Sequence, residues 1–276
     1  MACYYPITLT ENEIIKKSII TAEEYNGKGL IVPCGKCVGC LITKRNQWTF
    51  RLMEEFKVSS SSHFLTLTYN DENIPHSPNS TPYQPSYMFN KTDVQKYIKR
   101  VRKENESKLK YYFVSEYGDK TQRPHYHAII FNSNADLLKE KWSNEKGELG
   151  HVQIGSTNQA SIHYVTKYVI NKQDYANRQK NERPFALISK GLGRAYAETT
   201  RMFHANTKNY TVFYPGGIRQ TMPRYYRDKL YDEKTQREIA AKIINEKNND
   251  ETWEQWKGKK DRREIIAIQN SKSTKI

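Results

Sequence analysis

The chain of 276 residues is 37% hydrophobic and 27% charged, an ordinary balance for a soluble globular protein. It has no stretch near the roughly 18 apolar residues that a membrane span requires, and its N-terminus lacks the basic and apolar segments of a secretory signal, so we expect a cytoplasmic protein. With 45 Lys and Arg against 30 Asp and Glu, the net charge of +15 favours a nucleic-acid partner, although charge alone also allows an anionic membrane or no partner. The 20 tyrosines add stacking platforms for unpaired bases.

The N-terminal region contains all four cysteines of the chain, namely Cys3, Cys34, Cys37 and Cys40. Their C-x2-C spacing suits a tetrahedral zinc thiolate, and the glycines between them permit tight turns. The run also resembles an iron–sulfur motif, although the fourth cysteine of that motif is absent, and free thiols are a third alternative. Disulfides are not expected in a cytoplasmic protein. The spacing therefore predicts a structural zinc site, with these alternatives open.

The next elements alternate between helix and strand signals. Residues 41–57 predict a helix in which apolar residues four apart are interleaved with basic ones. Residues 64–69 alternate β-forming side chains and predict a strand, and the prolines within residues 70–90 predict a loop. A capping-box pattern at Thr92 then opens an amphipathic helix that we expect to end near Glu104.

The middle of the chain predicts a hairpin. Residues 111–116 and 125–131 have strand patterns, and the turn between them contains Gly118 and Pro124. Further elements are predicted as a helix at 137–142, a strand at 151–154, a helix that follows a capping box at Ser156 and runs to about Lys172, and a helical tail from Arg227 that frays from about Lys257.

A candidate metal site lies in the second strand of this hairpin. His125 and His127 are two residues apart, so both imidazoles lie on one face at a separation of about 7 Å, which suits the binding of one ion. A hairpin register that brings Glu116 to the same face would add a carboxylate and leave positions open for substrate. Such mixed ligands suit Mn²⁺ or Mg²⁺ more than structural zinc. The alternatives are two ordinary histidines and the ligand set of an iron oxygenase.

The helix after residue 158 carries two tyrosines at a spacing of four, Tyr164 and Tyr168. They share a face that is rotated away from the apolar stripe, so they are either packing residues or nucleophiles. That stripe consists of Ile162, Val165 and Val169. A phenol can hold a broken DNA strand as a phosphotyrosine, and Lys167 would stabilise its phenolate or the charge on the phosphate. Two tyrosines would allow two successive transfers.

Three motifs resemble those of the HUH endonucleases, in the order usual for that superfamily. They are residues 64–69, His125-Tyr126-His127 and Tyr164-x-x-Lys167-Tyr168. The sequence around the second motif, the cysteine run and residues 222–226 are also similar to the replication initiators of microviruses, especially the gokushovirus branch. This resemblance extends over most of residues 1–230.

The resemblance implies an α+β fold, with an HUH endonuclease-like antiparallel sheet that has a ferredoxin-like or RRM-like core and is flanked by helices. We expect a Cys-rich N-terminal segment with the basic helix at residues 1–60, the nuclease core at 61–175, and an extension at 176–276 that is helical near its end.

It also implies a rolling-circle initiation endonuclease that nicks and rejoins single-stranded DNA at an origin through a 5′-phosphotyrosine. His125, His127 and Glu116 would hold Mn²⁺ or Mg²⁺, and Tyr164 would be a nucleophile with Tyr168 as its alternate. The residues predicted to contact DNA are Thr66, Thr68, Arg123 and Lys172. The expected partners are the helicase and polymerase of a bacterial host, in its cytoplasm and away from membranes. A non-enzymatic single-stranded DNA-binding protein and an HUH transposase or relaxase are the alternatives.

Overall fold

The computed structural model describes residues 3–9, 30–118, 120–171, 183–214, 217–247 and 262. The chain divides into two compact units, one of residues 48–196 and one that combines residues 1–47 with 197–276. The core predicted at residues 61–175 lies within the first unit, and the predicted division into three segments stays a prediction. Within the described ranges, no helix has both the length and the apolar character needed to cross a bilayer.

The helices and strands of the described ranges alternate along the chain. In chain order they are β1 (Ile7–Leu9), β2 (Leu30–Val32), α1 (Val38–Val58), β3 (Ser62–Thr68), α2 (Lys91–Glu104), β4 (Lys110–Tyr117), β5 (Pro124–Phe131), α3 (Ala135–Glu140), β6 (Ser143–Asn144), β7 (Gly147–Glu148), β8 (Val152–Ser156), α4 (Gln159–Asn171), β9 (Ala186–Ile188), α5 (Arg194–Thr199), α6 (Arg201–Thr207), β10 (Thr211–Phe213), β11 (Arg219–Thr221), α7 (Arg224–Leu230) and α8 (Glu233–Lys247).

A five-stranded antiparallel sheet forms the centre of the unit of residues 48–196, with the strand order β8-β3-β5-β4-β9. The predicted strands at 64–69, 111–116 and 125–131 are confirmed as β3, β4 and β5, and the last two pair as a hairpin. The α+β fold, an antiparallel sheet flanked by helices, is therefore as expected.

One face of this sheet packs against α2. Alternate residues of β3 and β5, such as Leu65, Leu67 and Tyr126, point to this face and are fully buried. The apolar stripe of α2 covers them, and its members are Val94, Tyr97, Ile98 and Val101. Because the helix spacing of 3.6 residues and the strand spacing of two place apolar side chains on facing surfaces, this layer follows from the sequence pattern.

The opposite face packs against α1 and α4. Leu52 of α1 and Val165 of α4 are fully buried in one cluster with Ile129 of β5. The hydroxyls of Thr49 and Thr166 share a buried hydrogen bond of 2.9 Å, which joins the two helices. The candidate catalytic residues lie on this side of the sheet.

The capping residues differ from the predictions. The cap of α2 is Asn90, whose side chain accepts from the backbone N–H groups of Thr92 and Asp93, so the capping box predicted at Thr92 is wrong. The helix α4 begins after Asn158, which exchanges 2.9 Å hydrogen bonds with Ser161, rather than after the box predicted at Ser156. Asn is as good a cap as Ser or Thr, which explains both displacements.

The edge strand β9 was not predicted. It has only three residues, too few to show an alternating pattern, and it pairs with Tyr112, Phe113 and Val114 of β4. Short edge strands of this kind are held by their neighbours rather than by their own sequence.

Gly150 lies where no side chain fits. A Cβ built at this position would lie 2.2 Å from the carbonyl oxygen of Thr68 and 2.6 Å from the amide nitrogen of Asn70, both backbone atoms. We expect Gly150→Ala to lower the free energy of unfolding by about 3 kcal/mol, because the backbone must move to relieve the overlap. Urea unfolding followed by Trp fluorescence measures this loss. Gly147→Ala, with no heavy atom within 4 Å of the new Cβ, is the control, and equal losses in the two variants would contradict the prediction.

The second unit consists of the two chain ends. β1 pairs with β2 over three residue pairs, and β10 pairs with β11 as a hairpin. Val212, Met222 and Tyr226 are fully buried within this unit, and the hydroxyl of Tyr231 donates to the carbonyl oxygen of Asn209 at 2.9 Å. The helical pattern predicted from Arg227 is confirmed by α7 and α8. Apart from residue 262, the tail predicted to fray from Lys257 lies outside the described residues.

Candidate active site

The register of the central strands places the predicted ligands on one face of the sheet. Glu116 of β4 pairs directly with His125 of β5, and His127 pairs with Thr66 of β3. Directly paired residues of antiparallel strands point to the same side of the sheet. These four side chains therefore share the face that α4 covers.

His127 is the centre of the cluster. It is 7% exposed, and its Nε2 donates to the Oε2 of Glu116 at 3.0 Å. Its Nδ1 is hydrogen-bonded to the hydroxyl of Thr66 at 3.0 Å. Its ring lies parallel to those of Phe64 and Tyr168, with centroids at 6.1 and 5.7 Å. Both nitrogens and both ring faces are thus in contact with neighbours, so the orientation of the imidazole is fixed.

Glu116 joins the sheet to the tyrosine helix. Its carboxylate accepts a hydrogen bond from the hydroxyl of Tyr168 as well as from His127. Burial raises the pKa of Glu116, but these two hydrogen bonds outweigh burial, and the pKa lies below its ordinary value. Glu116 is therefore ionised at neutral pH, as a metal ligand or hydrogen-bond acceptor must be.

The two tyrosines of α4 lie over the same part of the sheet. The hydroxyl oxygen of Tyr164 is 3.5 Å from the Nε2 of His127, and the two phenol rings are 5.5 Å apart at 83°. Tyr168 is 5% exposed, and burial together with its hydrogen bond to Glu116 raises its pKa far above the ordinary value. Tyr164 is only half-buried. The expectation that both tyrosines lie away from the buried face is wrong, since Tyr168 belongs to the same core cluster as Ile162 and Val165.

Lys167 lies beside both phenols. Its Nζ is 3.9 Å from the ring centroid of Tyr164 and 5.1 Å from that of Tyr168. A cation this close to a phenol ring is attracted by the ring and favours a developing phenolate.

His125 lies at the end of the hairpin next to the turn. Burial, and after it the charge of His127, lowers its pKa, so His125 is neutral at pH 7. A Cβ built on Gly118 would lie 2.9 Å from the Nε2 of His125, so only glycine allows this close approach of ring and turn. In the described part of the chain, the cysteines are the only group of three or more His, Cys, Asp or Glu side chains that converge closely enough for one ion.

The donors of His127 and Glu116 nevertheless fit a hard divalent cation. Two adjacent ligands of an octahedral ion with bonds of 2.1 Å lie about 3.0 Å apart, and the Nε2 of His127 and the Oε2 of Glu116 are separated by 3.0 Å. A nitrogen and an oxygen donor together suit Mn²⁺ or Mg²⁺. The assignment of His125 as the third ligand stays a prediction.

The residues predicted to contact DNA have different surroundings. Thr66 is hydrogen-bonded to His127, a role that the sequence did not reveal, although the pairing of β3 with β5 explains it. The hydroxyl of Thr68 reaches the carbonyl oxygen of His151 at 3.4 Å. The guanidinium of Arg123 is paired with Asp71 at 2.5 Å. Lys172 lies outside the described residues. Their contacts with DNA stay predictions.

Comparison with known proteins identifies relatives. The family model of the ORF2-type replication-associated protein matches residues 62–174, which include the sheet strands β3, β4, β5 and β8 together with α4. Replication-associated protein VP4 of Bdellovibrio phage phiMH2K is 31% identical to this chain over 214 residues, and replication-associated protein ORF2 of Spiroplasma virus 4 is 30% identical over 243 residues. Replication-associated protein ORF4 of Chlamydia phage 1 is 26% identical over 227 residues.

These alignments cover 71%, 78% and 72% of this chain in the same order. The chain spans 66% of the first relative, 72% of the second and 53% of the third. No solved structure matches the chain.

Proposed function

The chain belongs to the family of phage replication-associated proteins, and we propose that it initiates rolling-circle replication by nicking and rejoining single-stranded DNA. The observation that carries the proposal is the cluster of Tyr164, Tyr168, His127 and Glu116 on one face of the sheet. A phenol, a cation and a pair of mixed donors side by side suit phosphoryl transfer, which depends on positioning and on stabilisation of charge.

In the first transfer, the hydroxyl oxygen of Tyr164 forms a bond to phosphorus, and the bond from phosphorus to the 3′ oxygen breaks. The phenol loses its proton and the departing 3′ oxygen gains one, so the products are a 5′-phosphotyrosine and a free 3′-hydroxyl. An ordinary phenol has a pKa of about 10 and needs assistance at neutral pH. Lys167, 3.9 Å from the ring centroid of Tyr164, supplies it by favouring the phenolate.

His127 and Glu116, with His125 beside them in the hairpin, would hold Mn²⁺ or Mg²⁺. When bound, such an ion supplies Lewis-acid polarisation of a non-bridging phosphate oxygen. Thr66 would keep the Nε2 of His127 directed at the ion by accepting from its Nδ1–H.

Two neighbouring phenols allow two transfers within one site. The first opens the DNA circle and leaves a 3′ end, which the polymerase and helicase of a bacterial host would extend and unwind. The second rejoins the strand after one round. Because a phosphotyrosine keeps the energy of the broken phosphodiester, neither transfer needs a nucleotide cofactor.

A covalent adduct distinguishes this proposal from its alternatives. We would incubate the protein and Mn²⁺ with a random pool of single-stranded oligonucleotides labelled at their 3′ ends and separate the products on a denaturing gel. A 5′-phosphotyrosine keeps the 3′ label on the protein, whereas a 5′ label should be released. A non-enzymatic DNA-binding protein gives no adduct with either label, and an iron oxygenase would instead consume oxygen.

A transposase or relaxase with the same chemistry would also form the adduct. The similarity of this chain to replication-associated proteins supports the initiator over these two classes. Sequencing the DNA recovered from the adduct would identify the cleavage site.

We expect Thr66→Val to slow adduct formation about 10-fold at saturating DNA, because the second partner that orients His127 is lost. The loss should shrink as the Mn²⁺ concentration rises. Thr68→Val is the matched control, since its hydroxyl makes only a long hydrogen bond to a backbone carbonyl. Equal rates for Thr66→Val and the unmodified protein across all Mn²⁺ concentrations would remove Thr66 from the site.

A further inference from the structure

The four cysteines form a second cluster that the nicking reaction does not use. We propose that Cys3, Cys34, Cys37 and Cys40 are the ligands of one structural zinc ion, which holds together the N-terminal part of the unit of residues 1–47 and 197–276. The site is independent of the catalytic proposal, because none of its residues belongs to the nuclease cluster.

The sulfur atoms have the separation that one tetrahedral ion requires. All four lie within 4.8 Å of one another, and the pairs Cys3–Cys37 and Cys34–Cys40 are 3.9 and 4.0 Å apart. Zinc–sulfur bonds of 2.3 Å at tetrahedral angles place two ligand sulfurs about 3.8 Å apart. The cluster therefore has the size of a single-ion site.

The alternatives fit this geometry less well. A disulfide needs sulfurs at about 2.05 Å, whereas all four cysteines are free. In an iron–sulfur cluster the cysteines bind different irons, so their sulfurs are spread farther apart than the ligands of one ion. Four thiols without a metal would have no reason to converge from two separate segments of the chain.

The backbone around the cluster is arranged to stabilise thiolates. The amide N–H groups of Tyr4, Cys34 and Cys37 donate to the sulfurs of Cys37, Cys3 and Cys34 at 3.3, 3.2 and 3.3 Å. The carbonyl of Cys37 accepts from the N–H of Leu41 in the first turn of α1, so two ligands lie at the positive end of this helix. These donors offset the negative charge that four thiolates bring to one zinc ion.

The local fold explains why such a site is needed. The strands β1 and β2 pair over only three residue pairs, and an isolated two-stranded pair of that length is marginal in water. Cys3 lies just before β1, while Cys34 follows β2 and Cys40 lies in α1. One ion bound to all of them would connect both strands to the helix, and its binding free energy would add to folding.

The test is the metal content of the full-length protein purified under reducing conditions. Elemental analysis should find one zinc per chain, and replacement by Co²⁺ should give the intense visible absorption of a tetrahedral thiolate complex. We expect Cys37→Ser to reduce bound zinc at least about 10-fold, whereas Lys36→Ala, an exposed residue between the ligands, should keep it.

Thiol titration of the unmodified protein keeps the proposal testable if Cys37→Ser fails to fold. The four cysteines should react slowly with a thiol reagent as purified and rapidly after chelation of the metal. Four thiols that react equally fast before and after chelation, a protein without zinc, or iron in place of zinc would each overturn the proposal. None of these readouts depends on DNA cleavage, so failure here would leave the nuclease proposal intact.

Discussion

The double variant Tyr164→Phe/Tyr168→Phe is expected to form no covalent adduct with single-stranded DNA while it still binds DNA. Each substitution removes only a hydroxyl, so both rings keep their contacts with His127. Without a phenolic oxygen no bond to phosphorus can form, and the loss should exceed about 10³-fold. The denaturing-gel assay measures the adduct, and a filter-binding assay measures retained affinity.

The single variants should differ, because the two phenols are held differently. The hydroxyl of Tyr168 donates to Glu116 and is almost fully buried, whereas Tyr164 is half-buried. We therefore expect Tyr164→Phe to abolish the first cleavage and Tyr168→Phe to retain it. Tyr111→Phe, a substitution on the other side of the sheet, is the control for loss of a phenol. An undiminished adduct in the double variant would defeat the assignment.

The second large effect is expected for His127→Gln, which should slow adduct formation by on the order of 10³-fold, a loss of several kcal/mol of charge stabilisation. His127 contacts Glu116, Thr66 and both tyrosines, so no other side chain of the cluster can replace it. Rates measured over a range of Mn²⁺ concentrations should show a weaker dependence at every concentration. A chelator should abolish the activity of the unmodified protein, and added Mn²⁺ should restore it.

His63→Gln is the matched control for this variant. His63 also lies in the sheet, but its Nε2 contacts the carbonyl oxygen of Ser133 rather than the cluster. Thermal unfolding of both variants separates loss of chemistry from loss of fold. A His127→Gln protein that is stably folded and as active as the control would show that His127 has no part in the reaction.

Much of the central sheet could be predicted from the sequence, since residues 64–69 and 125–131 have the β-forming composition of strands buried in a core. The helix α2 was equally clear, with four apolar residues on one stripe. Its cap was misplaced because Thr92 and Asn90 are both good capping residues and only the backbone decides between them. The strand β9 has three residues and no pattern of its own.

The candidate site was predicted in its members more than in its arrangement. The spacing of His125 and His127 fixes that they share a face, but the register of the turn decides whether Glu116 joins them. The position of α4 over the sheet is a tertiary property, so helical spacing alone placed Tyr168 on the wrong side. The pairing of Arg123 with Asp71 joins residues far apart in the chain, and no local pattern reveals it.

The strand that carries His127 is hydrogen-bonded on both sides, because β5 is the middle strand of five. The imidazole is therefore mounted on a part of the molecule that opens only when the whole sheet does, whereas the phenols stand on a helix that packs on the sheet through one face. Local opening would release the nucleophiles and leave their anchor in place. A DNA strand that arrives at this surface meets a seat already set, so little of its binding energy is consumed in ordering the protein.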